Sequence, residues 1–125
     1  MNQAAASYSR VSQVGLSPRE AEAAALIKAA ARLQAIQDDW TGRQGELDSA
    51  LAFNRKLWTI FVSAASAPDA PLPAEVRSNI VNLGMFIFDR TIATLAEPSP
   101  DKLGALVNIN REVAAGLRPA ARAAA

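Results

Sequence analysis

Asp38 and Asp39 are the only adjacent carboxylates in the chain. A carboxylate pair is the usual seed of acid–base or metal chemistry. Neighbours on a helix point about 100° apart, so these two do not share a site and read as a solvated helix end. The chain has no histidine and no cysteine. That excludes disulfides, thiolate zinc sites, a cysteine nucleophile and any Ser–His or Cys–His machinery. No glycine-rich phosphate loop follows a strand, and the other acidic residues are too scattered to argue a metal site from spacing. The residue types therefore point to no catalytic group, no metal, no cofactor and no small-molecule substrate, so a non-enzymatic protein is expected.

Recognition chemistry is better represented. From Val76 to Leu95, apolar residues fall on two sides of a helical wheel. One stripe is Val76, Ile80, Leu83 and Ile87, continued by Thr91 and Thr94. The other is Val81, Met85, Phe88, Ile92 and Leu95, whose four–three spacing is that of a helix seam. A helix apolar on two sides must be covered on both. Either it is the central helix of the fold, or its second stripe meets a partner, a second copy of the chain included. Met and Phe suit adaptable grooves that bind helices. A second candidate surface is the margin of a wide apolar arc, roughly 200°, on the preceding helix, formed by Phe53 and Ile60.

Two amides complete the set. Asn54 projects from an apolar face between Leu51 and Trp58, and Asn110 from one formed by Leu103, Val107 and Leu117. A buried amide without partners costs about 1–3 kcal/mol, so each needs a hydrogen bond, and the other is a natural partner. Their expected role is structural, fixing helix register. Each is followed by an arginine, Arg55 and Arg111, which rotates off the apolar centre within reach of carboxylates such as Glu112, Asp48 or those of a partner. The only basic–aromatic cluster is Arg55-Lys56-Leu57-Trp58, and Trp58 points to the core face with Lys56 turned away. Direct RNA binding is therefore disfavoured.

The elements that position these residues are helices. No segment alternates with period two over strand length, and prolines and glycines cut the chain into helical blocks. Met1–Val14 is a candidate short helix closed by Gly15. Ser17-Pro18-Arg19-Glu20 is a capping box with proline at the first helical position. The helix it opens runs to about Asp39, with Leu26, Ala30, Leu33, Ile36 and Trp40 on its apolar face. Thr41–Gly45 reads as a loop. The next helix spans about Gln44 to Ser66, with Leu47, Leu51, Leu57, Trp58, Phe61 and Ala65 in its arc. Prolines at 68 and 71 break it. A third helix runs from Pro73 to about Ala96. A last one is capped by Ser99, begins at Pro100 and closes at Gly116.

The expected fold is all-α: a single bundle of four main helices over residues 1–117, with the N-terminal segment as a candidate fifth. Residues 118–125 form an Ala-rich tail with nothing large to bury, expected to be disordered. Half of the 125 residues are hydrophobic, but 28 are alanine, so much of the apolar content is small. The formal charge is +1, which gives no reason for strong nonspecific binding to nucleic acid or membranes. The longest charge-free apolar run, Leu57–Pro68, is far short of the ~20 residues of a spanning helix. Met1–Ser9 has no basic stretch followed by an apolar one, so no signal peptide is expected, and a cytoplasmic location follows.

Several blocks resemble the flagellar biosynthesis regulator FlaF family. They are Ser17-Pro18-Arg19-Glu20 with Lys28–Gln34, Phe53-Asn54-Arg55-Lys56-Leu57-Trp58-Thr59-Ile60-Phe61, Leu72-Pro73 through Asn79-Ile80-Val81-Asn82-Leu83-Gly84, and Ile109-Asn110-Arg111-Glu112 through Leu117. The run from Asn54 to Phe61 is the most specific. The resemblance implies a cytosolic protein needed for flagellin production and export, which binds flagellin as a secretion chaperone and works with or against the translational regulator FlbT. It carries over no catalytic residue. The alternative within the same resemblance is a post-transcriptional regulator acting with FlbT or directly on flagellin messenger RNA.

Overall fold

The computed structural model describes residues 18–118. The candidate helix at Met1–Val14, the Ser17 cap and residues 119–125 lie outside them. The described residues form four long helices and no strand: α1 (Pro18–Asp38), α2 (Leu47–Ser66), α3 (Ala74–Ala96) and α4 (Gly104–Gly116). The all-α bundle expected from periodicity and breakers is the fold observed.

α1 buries Ala23, Leu26, Ala29, Ala30, Leu33 and Ile36, the steps of three and four that keep one face inward. Three of these are alanines, and Ala114 of α4 is buried with them in the core. Small residues bring helix backbones close, and α4 is the principal neighbour of α1. Gln37 Nε2 donates to Pro100 O at 2.9 Å and ties the end of α1 to the approach to α4.

The connection from α1 to α2 is more regular than a loop. Trp40–Arg43 is a single helical turn, followed by a 3₁₀ turn at Gln44–Glu46, so α2 begins at Leu47. The Asp39 carboxylate organises this turn by accepting from the Gly42 amide at 3.3 Å. A Cβ on residue 42 would lie 2.6 Å from that carboxylate, so any larger residue would push the Asp39 side chain out of this position. The Ser99 cap expected before α4 is not made: its hydroxyl forms no capping bond. Pro100–Leu103 is a 3₁₀ turn, and in that tighter geometry the Ser99 carbonyl itself accepts the Lys102 amide at 3.2 Å.

The core is shared by α1, α2 and α4, with Trp58 of α2 at 0% exposure. α3 stands at the edge. It packs chiefly on α2 and only grazes α4 and the 3₁₀ turn before it. Of its apolar side chains only Ile87 is fully buried, beside Gly84, Thr91 and Thr94. The two threonines satisfy their own hydroxyls, donating to Ile87 O and Arg90 O, both at 2.7 Å.

Gly84 sets how closely α3 approaches α2. A Cβ there would collide with Val62 Cγ2 and come within 3.7 Å of the Trp58 ring. Valine in a helix has one strongly preferred rotamer and cannot turn away cheaply. Gly84→Ala is therefore expected to lower stability by about 1–3 kcal/mol despite alanine's better helix propensity. Urea denaturation followed by circular dichroism measures this, and adding Val62→Ala should restore much of the loss.

Candidate functional site

Asn54 and Asn110 are both fully buried. Trp58 Nε1 donates to Asn110 Oδ1 at 2.9 Å. The Asn110 amide group donates in turn to Asn54 Oδ1 at 2.7 Å and to Leu26 O at 3.4 Å. An indole can only donate, so Trp58 fixes which end of the Asn110 amide is oxygen, and Asn110 then fixes Asn54. One chain of polar contacts thus joins α2, α4 and the backbone of α1. It leaves Asn54 Nδ2 buried without a partner. The whole network is sealed from solvent and offers no surface to a ligand.

The two stripes of α3 have different fates. On the first, Ile80 and Leu83 pack against the core beside buried Ile87, Thr91 and Thr94. Val76, the first residue of that stripe, is exposed. α2 and α3 are antiparallel with Val62 opposite Gly84. Val76 lies about 12 Å along the axis from Gly84, while α2 continues only about 6 Å beyond Val62, so Val76 overhangs the end of α2. On the second stripe, Met85, Ile92 and Leu95 are 53%, 67% and 48% exposed. Val81 is half-buried, and Phe88 leans its half-buried ring onto the core. The helix is therefore not the central element with both sides covered.

Six large apolar side chains are exposed among the described residues, and five of them are on α3: Val76, Met85, Phe86, Ile92 and Leu95. Phe86, absent from both stripes, lies on the far side of the helix, with the Arg90 guanidinium 5.3 Å from its ring centre. The i, i+4 spacing of an aromatic and an arginine was the available signal for that pair.

The second candidate surface is separate from the first. Phe53 is half-buried under Lys28 and Arg32 of α1, which lie 5.8 and 5.6 Å from its ring centre. Phe53 and Val62 are about 180° apart on α2, so Phe53 borders α1 while Val62 faces α3. Ile60, also half-buried, is on the Phe53 side. Its step from Phe53 is only about 20°. The two candidate surfaces thus lie on opposite flanks of α2 and do not form one patch.

Arg55 and Arg111 are exposed and make no ion pair among the described residues, so the contacts with Asp48 and Glu112 are not formed. The aromatic of the Arg55-Lys56-Leu57-Trp58 cluster is wholly buried and cannot stack on a base. Among the described residues no group of three or more His, Cys, Asp or Glu could hold a metal ion. No described helix is long and apolar enough to cross a membrane.

Residues 4–117 match the family model described as Flagellar protein FlaF. The chain belongs to the FlaF family. Comparison with curated proteins gave no match, and comparison with solved structures gave none. The matched segment contains every element of the FlaF-family fold described above, the amide network and the α3 face included. Membership makes this a flagellar protein, and Met85, Ile92 and Leu95 of the second stripe stand among its exposed large apolar side chains.

Proposed function

We propose that this chain binds flagellin in the cytosol as a secretion chaperone, using the α3 stripe of Val81, Met85, Phe88, Ile92 and Leu95 as the docking surface. The observation that carries the reading is the concentration of exposed apolar side chains on one edge helix. Exposed apolar groups normally scatter singly over a surface, and a contiguous patch marks an interaction site. The four–three spacing suits an amphipathic helix laid along α3. Flagellin subunits assemble through sticky amphipathic ends. Covering such an end would delay assembly before export and would couple the free flagellin pool to its synthesis. Phe53 and Ile60 are a secondary contact, on the other flank of α2.

The test is to mix the purified chain with its cognate flagellin and follow co-elution and calorimetry. A stoichiometric complex is expected, with affinity changing less than about tenfold between 50 and 200 mM salt. A mode built on several RNA phosphates would lose roughly a thousandfold or more over that range. Absence of both co-elution and heat contradicts the chaperone reading. Binding to FlbT with none to flagellin would replace it with a role as partner of that regulator.

A further inference from the structure

The α3 stripe has an electrically distinct end. Beyond Val81 it runs into a shallow groove between the end of α2 and the start of α3, lined by Ala65, Ser66, Arg77, Ser78, Val81 and Asn82. Arg77 is the only charged residue in it. Its Nη1 donates to Ala67 O at 3.2 Å, its Nε is buried without a partner, and it pairs with no carboxylate among the described residues. The first-turn amides of α3 add positive potential at the same end. Glu75, the carboxylate of that turn, points about 120° away from Val81. Toward the other end of the stripe the rim is acidic: Asp89 is exposed and unpaired among the described residues, about 40° from Met85 around the helix. Glu97, farther on, is matched by Lys102 at 3.4 Å.

The size of the face limits its occupant. The exposed parts of Met85, Ile92 and Leu95 with the half-buried Val81 and Phe88 amount to about 300–400 Å² of apolar surface, below the roughly 450–520 Å² that is the apolar share of the ~800 Å² per partner in a stable dimer of globular subunits. One helix suits it better than a second copy of the chain.

We propose that the helix captured on α3 lies antiparallel to it, with its carboxyl-terminal end over the Arg77 groove. This rests on the reading of α3 as the docking face. The carboxyl end of a helix carries partial negative charge, increased by any terminal or side-chain carboxylate, and Arg77 with the α3 amides attracts it. The amino-terminal half of the captured helix then lies beside Asp89, where its positive potential is matched. The parallel orientation would set like against like at both ends.

The experiment places a photoreactive phenylalanine analogue at Val81 or Leu95, one at a time, in the full chain bound to its cognate flagellin, and maps the labelled residues by mass spectrometry. The two positions are about 21 Å apart along α3. The segment labelled from Val81 is expected about 14 residues carboxyl-terminal to the segment labelled from Leu95. The reverse order overturns the orientation, as does labelling of one common segment from both positions. Arg77→Gln is expected to weaken flagellin binding about three- to tenfold at low salt with the labelling order kept. Unchanged affinity in that variant overturns the role of Arg77 in setting the orientation, which the labelling order reads directly. A complex that forms without labelling from either position refutes the docking face itself, and so separates that failure from a wrong orientation.

Discussion

Met85→Asp is expected to leave the chain folded and to abolish flagellin binding. More than half of the Met85 side chain is in water in the isolated protein. Changing it costs little more than the poorer helix propensity of aspartate, about 0.5 kcal/mol, which lowers the melting temperature by only a few degrees. In a complex the new carboxylate would be buried against an apolar helix with nothing to pair it, a penalty of several kcal/mol. Affinity should fall at least about a hundredfold. Ile92→Asp should behave in the same way, because Ile92 is the most exposed large apolar residue described. Phe88→Asp should not: its ring packs on the core, so this variant is expected to lose stability as well as binding. Calorimetry against flagellin, with thermal melts of each variant, separates the cases. Wild-type affinity in both Met85→Asp and Ile92→Asp would remove α3 from the interface.

The largest effect on stability is expected at Asn110. Asn110→Ala strands the Trp58 indole N–H and the Asn54 carbonyl oxygen inside the core, since each loses the bond that Asn110 provides. Two orphaned buried groups and a small cavity together cost about 3–5 kcal/mol. For a domain of this size that is a fall in melting temperature of roughly 15–25 °C. Asn54→Ala should cost less, about 1–2 kcal/mol. It deprives Asn110 of one acceptor but also removes the Asn54 Nδ2 that already lacks a partner. Urea denaturation of the two single variants and the double variant checks the order and measures the coupling. A larger loss at Asn54 than at Asn110 would contradict the direction of donors and acceptors described here.

The sequence made some of this legible and concealed the rest for identifiable reasons. Proline breakers and apolar periodicity located four helices to within a few residues, because those signals act along the chain. The buried amides were readable for a related reason: an amide in the middle of an apolar face needs a partner from another element, and Asn54 and Asn110 both stand in that position, whereas Thr91 and Thr94 satisfy their hydroxyls within their own helix. The direction of their network was not readable, because it depends on Trp58 approaching Asn110 across 52 positions. The place of α3 was likewise hidden. Its two apolar stripes fit a central helix and an edge helix equally well, and only the pairing of helices decides between them. Gly84 reads as an ordinary helical glycine until Val62 is seen against it. The turn at Trp40–Arg43 depends on the Asp39 carboxylate folding back, in a stretch that composition alone marks as loop.

The most direct measurement is oxidative footprinting of Met85 with and without flagellin. A thioether that is half in water is readily oxidised in the free chain. With the complex saturated, Met85 oxidation is expected to slow at least about fivefold, because an α3 face covered by a helix leaves its sulfur little contact with solvent. Oxidation at the free rate in a chain fully bound to flagellin would show that flagellin docks elsewhere.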